Sequence, residues 1–498
     1  MLLGIDIGTS SVKAMLMEPD GRIIAVKTAA YQVEIPHPGW AQQHPDTWWE
    51  GLCRILGEMK AEHPRQMEGI CGIGLSGQMH GLVAVDREGQ PVCPAVIWMD
   101  QRAEEETREI EEKISRKEQG EILHNRIFNG FALPSLLWMR KREGGLYRKI
   151  FRIFQPKDYI RFRLTGEMGT EYSDASASLM MDVGKRVWAE KLLEKLGIEK
   201  NILTELHESV QVAGSVTAEA SRRTGLREGI PVVFGAGDQQ AQSIGNGAAE
   251  EGMLISNIGT GAQISAFSRT DFYDPQLRTH TFCHGISGAY TVYGAMLTGG
   301  MSLQWLKDQI LKEKSFSALG QMAESIRPGS DGLLFLPYLA GERTPLMDPQ
   351  AKGVFFGLTL GHQAGHLVRA VMEGVTFALK DSLEIMEEIG IRGEQIIASG
   401  GAANSPVWLQ IQADILGKTV RVSRIREQAC LGACILAGVG CGIYRDVTAA
   451  GRELAVISHQ VYEPRKEFSG CYEELYRKFH GIYQGTREYM VTVRPPEK

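Results

Sequence analysis

The sequence predicts two similar α/β domains that close on one ligand from two sides. Three observations predict it. A strand–turn–strand unit occurs twice, as Gly4-Ile5-Asp6-Ile7-Gly8-Thr9-Ser10-Ser11-Val12-Lys13-Ala14 and as Ile255-Ser256-Asn257-Ile258-Gly259-Thr260-Gly261-Ala262-Gln263-Ile264. Each copy opens a stretch in which short apolar runs alternate with helical periodicity. The 498 residues, 43% hydrophobic and 23% charged, suffice for two or more domains with separate cores.

The repeated unit carries the chemistry. In each copy an apolar run enters a Gly-Thr bend and leaves as a second strand. Such a bend lets backbone N–H groups and a hydroxyl converge on an anion such as phosphate, and two bends suggest a clamp on one nucleotide. Only the first copy keeps a carboxylate, Asp6; the second has Asn257. A single acid among phosphates is the expected anchor for Mg²⁺. An acid inside the apolar strand Leu2–Ile7 is costly unless compensated. Lys13 reads as an exposed strand residue, with the phosphates as the alternative target.

The elements follow in order. Residues 2–8, 11–17 and 22–27 read as strands, the last two joined by the turn former Pro19-Asp20-Gly21. A helix with Asp46 or Thr47 as N-cap follows, with Trp48, Trp49, Leu52, Ile55 and Leu56 on one face. Ile70–Leu75 is a buried strand that ends in Ser76-Gly77-Gln78-Met79-His80-Gly81. Leu82–Val85 and Val96–Trp98 read as a strand pair around Arg87-Glu88-Gly89. Residues 102–118 form a charged helical region with a solvated face. Pro231–Gly237 is a strand that runs into a helix at Asp238-Gln239-Gln240-Ala241, where Asp238 by itself reads as an N-cap. The second strand–turn–strand begins at 252, so the boundary falls near 245–250. Gln395–Ser399 is a strand ending in Gly400-Gly401-Ala402-Ala403-Asn404-Ser405-Pro406, followed by a helix over 406–416. Gly72-Ile73-Gly74-Leu75-Ser76-Gly77 fits a dinucleotide fingerprint by spacing, but leads into another strand and not into the helix that fingerprint needs.

Bulk properties exclude several classes. A net charge of −6 and a pI near 6.1 suggest neither nucleic acid nor an anionic membrane as partner. No apolar run reaches the roughly 18 residues of a membrane span. The chain enters its first apolar run at Leu2 with no basic stretch before it, so no secretory signal is expected. Cys53, Cys71, Cys93, Cys283, Cys430, Cys434, Cys441 and Cys471 form no CxxC pair and no zinc-spaced cluster. They read as reduced thiols of a cytoplasmic protein, most of them small core residues.

Gly353-Val354-Phe355-Phe356-Gly357-Leu358, with His366-Leu367 and Ala370-Val371-Met372-Glu373 beyond it, is the most specific block. With Gly77-Gln78-Met79-His80-Gly81, Ile97-Trp98 with Asp100, Pro156-Lys157-Asp158-Tyr159, Leu336-Pro337-Tyr338 and Gly341-Glu342-Arg343-Thr344-Pro345, it resembles the FGGY carbohydrate kinases, and among them the xylulokinases, over the chain up to about residue 440. The chain departs from that pattern at Ser135, where a Lys is usual, at Met99, and at Gln239, where Asn commonly follows the catalytic Asp.

The resemblance implies two ribonuclease H-like domains of the actin and hexokinase superfamily, each a mixed five-stranded sheet with helices, around a central cleft. Residues 1–247 would carry the sugar site and the base, and 248–498 the nucleotide. It implies transfer of the γ-phosphate of ATP to the terminal hydroxyl of a ketopentose, D-xylulose first, with gluconate or ribulose as alternative acceptors. A non-catalytic actin-like ATP-binding protein is the reading of another class. Asp238 would be the base and Asp6 the Mg²⁺ anchor. Gly8, Thr9, Ser10, Gly259, Thr260 and Gly261 would hold the phosphates, and Gly400, Gly401 and Asn404 the adenosine. Gln78, Met79, His80, Trp98, Asp100, Asp238 and Gln239 would line the sugar site, where polar partners suit hydroxyls and an indole suits a carbon face. A homodimer is the expected assembly.

Overall fold

The computed structural model describes residues 1–313 and 315–490. Two mixed sheets dominate it. In the first, the strands run Val212–Ser215, Pro231–Val233, Gly72–Gly77, Leu2–Ile7, Ser11–Met17, Ile23–Ala30. In the second they run His280–Cys283, Tyr290–Met296, Ala262–Ser268, Gly252–Ile258, Gly393–Ser399, Thr419–Ser423, Ile457–Tyr462. The five central strands of the two sheets match in order and direction. Leu2–Ile7 pairs antiparallel with Ser11–Met17 and parallel with Gly72–Gly77, and Gly252–Ile258 pairs likewise with Ala262–Ser268 and Gly393–Ser399. Further edge strands widen each sheet beyond the expected five.

One added segment has a local cause. The strand that begins at Pro231 breaks at Gly235, which has φ +82° and passes so close to Gly72–Gly77 that a Cβ would lie 2.1 Å from the Leu75 carbonyl. Only glycine fits both conditions. The chain rejoins the sheet as Ala236–Gly237, parallel to Ser76–Gly77.

Other expectations are corrected. The first long helix is Pro45–Glu62, capped by His44 and not by Asp46 or Thr47. Pro45, with its fixed φ and missing N–H, takes the first helical position, and the His44 imidazole accepts from the Asp46 amide at 3.3 Å. Val83–Val85 pairs with Arg152–Phe154, and Ala95–Val96 with Gln42–Gln43. The two runs expected to pair with each other meet only in the bridge Leu82↔Val96. The charged region is two helices, Glu104–Lys113 and Arg116–Glu118. The cysteines are all free, but only Cys283, Cys430 and Cys434 are buried. Among the described residues no helix is long and apolar enough to cross a membrane.

Separate apolar cores lie under each sheet, and a third fills the region between Leu82 and Leu203. A fourth joins the halves. The Gln428–Gly440 helix, from late in the chain, lies on the first sheet, and its Cys430, Cys434 and Ile435 pack with Leu2, Met15, Val233 and Ile244. A Cβ at Gly74 would stand 1.9 Å from the Ala433 carbonyl, and one at Gly4 2.1 Å from that of Cys430. The glycines of the decoy fingerprint are thus packing residues on a flat strand.

Candidate active site

Strand register builds the first wall of the site. Ala236, Ser76, Asp6 and Lys13 lie side by side on four adjacent strands, so their side chains share a face. Ser76 Oγ donates to Asp6 Oδ1 at 2.9 Å. Burial raises the Asp6 pKa, opposed by the Ser76 hydrogen bond and the Lys13 charge. Lys13 is half-buried and not an exposed strand residue. Its Nζ pairs with Glu427 Oε2 at 2.5 Å, tying the first hairpin to the start of the Gln428–Gly440 helix.

Asp238 follows directly from Ala236–Gly237 and is the first residue of the Asp238–Gly245 helix, whose N-cap is Gly237. Burial, and then the negative charge of Asp6, push its carboxyl up to about 7; hydrogen bonds from the backbone and side chain of Gln239 act the other way. The Asp238 charge also helps raise the pKa of Tyr293, whose phenol is pushed up chiefly by burial.

A buried charge network fixes the approach to Asp238. Gly237 N–H donates to Ser173 Oγ at 2.9 Å, and that hydroxyl donates to Glu171 Oε1 at 2.7 Å. Lys157 Nζ lies 2.8, 3.1 and 2.9 Å from Asp158, Glu171 and Asp174, all four with fully buried side chains. Burial alone would lower the Lys157 pKa, but the three carboxylates hold it above its ordinary value.

The first Gly-Thr bend is wired into the residues expected to line the sugar site. Thr9 Oγ1 donates to Gln78 Oε1 at 3.1 Å and accepts from Trp98 Nε1 at 2.9 Å. Gln78 Nε2 donates to Gln43 Oε1 at 3.1 Å, as does Trp48 Nε1. The Gly8 amide is spent on the Ser11 carbonyl at 3.0 Å, while Ser10 is exposed. Trp98 is 39% and Met99 44% exposed. Met79 is buried against Gly237, where a Cβ would come within 2.8 Å of it.

His80 takes φ +73°, and its Nδ1 lies 2.9 Å from the Ala177 carbonyl. A carbonyl can only accept, so Nδ1 carries the proton and Nε2 is an acceptor. Packed against Phe131 with ring centroids 3.9 Å apart, the ring is kept neutral: burial lowers its pKa to about 3. Asp100 lies elsewhere in the network. It is 1% exposed, and its oxygens accept from Ala41 N at 2.6 Å, Arg102 N at 2.8 Å and Arg102 Nε at 2.9 Å. It shapes the loop below Trp98.

The second wall holds the Gly259-Thr260-Gly261 bend, with Thr260 exposed. A glycine pair that sequence reasoning missed braces it: Gly300 N donates to Gly259 O at 2.8 Å, and Gly299 N to Thr260 O at 3.0 Å. A Cβ at Gly300 would lie 2.5 Å from the Gly259 carbonyl. These glycines open the Gly300–Trp305 helix, and a Gly-Gly pair ahead of Met301-Ser302-Leu303-Gln304-Trp305 was the available signal. Gly400 has φ +77° and borders Asn257, whose Oδ1 would be 2.5 Å from a Cβ there. Gly401–Asn404 forms a helical turn in which Asn404 Nδ2 donates to Gly401 O at 3.1 Å, ahead of the Pro406–Leu416 helix.

The two walls meet at the Asp238–Gly245 helix. Gln263 Nε2 donates to Gln239 Oε1, and Asn257 Nδ2 donates to Gln242 Oε1 at 2.8 Å. A carboxylate of raised pKa, on a helix bonded to the second hairpin, thus stands within reach of the charge of Asp6, two strands away, while the first Gly-Thr bend is bonded to Gln78 and Trp98.

Residues 1–245 match the model of the FGGY family of carbohydrate kinases, N-terminal domain, and residues 255–441 that of its C-terminal domain. The xylulose kinase of Lactococcus lactis is 35% identical over 488 residues, 98% of this chain and 97% of that protein. The gluconokinase of Bacillus subtilis is 32% identical over 449 residues, 87% of this chain and 86% of that one. The crystal structure of xylulose kinase from Rhodospirillum rubrum superposes with a TM-score of 0.92 at 28% identity, covering 98% of this chain and 99% of that one. The chain belongs to the FGGY family of carbohydrate kinases.

Proposed function

We propose that the chain transfers the γ-phosphate of ATP to the terminal hydroxyl of a ketopentose, D-xylulose first, to give D-xylulose 5-phosphate. The observation that carries this reading is Asp238: a carboxyl raised to about 7 by burial and the charge of Asp6, at the start of a helix to which Asn257 and Gln263 of the second hairpin are bonded. Phosphoryl transfer needs a group to accept the hydroxyl proton as the oxygen attacks, and a base poised near neutral pH suits that task. Gln78, His80 and Trp98 would line the sugar site, where Nε2 of His80 would accept from a sugar hydroxyl.

Mg²⁺ fits this arrangement through Asp6. Among the described residues no group of three His, Cys, Asp or Glu side chains could hold a metal alone, so the ion would complete its shell with phosphate oxygens and water, as Mg²⁺ characteristically does. When bound it would neutralise charge on the phosphates. The bend at Thr9–Ser10 and the bend at Gly259–Gly261, braced by Gly299 and Gly300, would orient the transferring group. Gly400, Gly401 and Asn404 would receive the adenosine. Residues 1–247 would thus serve mainly the sugar and 248–498 the nucleotide, in a cytoplasmic enzyme that acts as a homodimer; light scattering tests the last point.

Gln239 and the Bacillus subtilis gluconokinase relative keep a second acceptor in view. A one-methylene difference in a pocket shifts preference by about 1–3 kcal/mol. ADP release measured with D-xylulose, D-ribulose, L-ribulose and D-gluconate tests the reading. D-xylulose giving the highest kcat/KM supports it. Gluconate leading replaces the acceptor, and no stimulation by any of them ends it.

A further inference from the structure

Asn257 and Gln263 are not explained by phosphate binding. They are Cα partners on the two strands of the second hairpin, on either side of the Gly259-Thr260-Gly261 bend. Their side chains therefore share a face. Opposite them, Gln239 and Gln242 stand three residues apart on the Asp238–Gly245 helix and share one side of it. The two pairs join by amide hydrogen bonds, Asn257 Nδ2 to Gln242 Oε1 at 2.8 Å and Gln263 Nε2 to Gln239 Oε1.

The second bond has a consequence for Asp238. The Gln239 side chain also hydrogen-bonds the Asp238 carboxylate. With its oxygen accepting from Gln263, Gln239 has only its NH₂ to turn toward Asp238. Gln263, on the far wall, thereby selects which end of the Gln239 amide faces the carboxylate. Asn257 reaches further still, because its Oδ1 borders Gly400 while its Nδ2 holds Gln242. The bend, the Gly400 loop and the helix that begins with Asp238 thus converge on one side chain.

We infer that Asn257 and Gln263 are positioning residues, which fix the Asp238 helix against the nucleotide-side bend through this double amide tie. This rests on the reading of Asp238 as the base. It also fits the Asn that stands in the second copy where the first has Asp6: an amide at 257 donates to Gln242 without adding negative charge beside the phosphates. In-line attack tolerates little displacement, since a misplacement of about 1 Å costs on the order of 100-fold in rate.

Two double-mutant cycles test the inference, Asn257→Ala with Gln242→Ala and Gln263→Ala with Gln239→Ala, each read as kcat for sugar-dependent ADP release. Expected are single losses in kcat of about tenfold or more, an ATP Kd close to wild type throughout, a sugar KM close to wild type in the Asn257, Gln242 and Gln263 variants, and a double variant no slower than its slower parent. The swapped pair Asn257→Gln with Gln242→Asn, which conserves the summed reach, should regain activity that Asn257→Gln alone loses. Circular dichroism identifies any variant that fails to fold, and the two cycles stand independently of each other. Additive losses in both cycles, or losses confined to KM and Kd, overturn the inference while leaving Asp238 as base. Wild-type turnover in Asp238→Asn overturns the reading of Asp238 and this inference with it.

Discussion

Asp238 combines two influences that act in the same direction, enclosure by protein and the charge of Asp6 two strands away. As the proposed base it would work only when ionised. In the free enzyme kcat/KM should therefore fall as pH drops through about 7 and level off above it, with His80 contributing nothing there because it stays neutral down to about pH 3. A pH profile whose acid limb lies near 4 would mean that the carboxylate is ordinary. Asp238→Asn should lower kcat by about 10²–10⁴-fold with ATP affinity little changed, which isothermal titration with a non-hydrolysable analogue can check. Lys157 makes the opposite case, a charge whose work is structural. Its removal by Lys157→Met leaves Asp158, Glu171 and Asp174 facing one another without their cation in a buried site, a change of about 3–5 kcal/mol that urea titration should register. Much of the candidate site is legible in the chain because each bend, the acid at position 6 and the block around His80 are local patterns. Lys13 could not, because its partner Glu427 lies 414 positions away, and nothing near either residue announces the other. Asp100 was expected beside the sugar, yet its hydrogen bonds are spent on Ala41 and Arg102, a pairing visible only once the loop is folded.

Elements whose ends carry their own chemistry were the easiest to read. The helix over 406–416 was predicted with its observed limits because Pro406 suits the first turn and Gly417, at φ +65°, ends it. Strands were found but not their partners: an apolar run with β-branched valines marks Val83–Val85 as a strand, while its pairing with Arg152–Phe154 depends on a contact far along the chain. The Gln428–Gly440 helix shows the same limit from the other side. It is apolar all round, as a helix enclosed on every face must be, and that pattern gives no direction. Its direction is set by glycines at its contacts. Gly4 and Gly74 let it sit on the first sheet, and Gly432 and Gly245 let it cross the Asp238–Gly245 helix, where a Cβ would lie 1.9 Å from the Ala241 carbonyl and 2.0 Å from that of Gln428 respectively. The obstructing atoms are backbone in all four cases, so no side-chain rotation relieves them. Gly74→Ala should consequently cost several kcal/mol by overpacking, at or above the usual range of about 1–3, whereas Gly57→Ala, on the exposed side of Pro45–Glu62 with open space at its Cβ, should stabilise by about 0.5–1 kcal/mol. Thermal unfolding of the two variants side by side makes the comparison, and equal shifts would remove close approach as the reason for the glycine.

The two halves repeat a five-strand plan, yet they are not two beads on a string. The late helix Gln428–Gly440 closes the face of the early sheet, burying Leu2, Met15, Met17 and Val233, so the first half is completed by residues that are among the last to be made. A division at residue 247 follows the chain but not the core. This has a direct consequence for dissection. A fragment of residues 1–247 lacks the helix and exposes that apolar face, which a monomeric soluble protein does not tolerate over a large area. The fragment should bind a hydrophobic dye and aggregate, with a broadened thermal transition. Supplying residues 424–445 as a linked segment should restore a cooperative one, because the segment returns both the buried side chains and the Glu427 partner of Lys13. The same arrangement couples the Asp238–Gly245 helix to global stability. Loosening that helix changes the seat of the Asp238–Gly245 helix that lies across it, so substitutions there should lower kcat before they abolish folding. A fragment of 1–247 that melts cooperatively without the added segment would show that the early sheet is self-sufficient, and the late helix would then be a cover and no longer a part of its core.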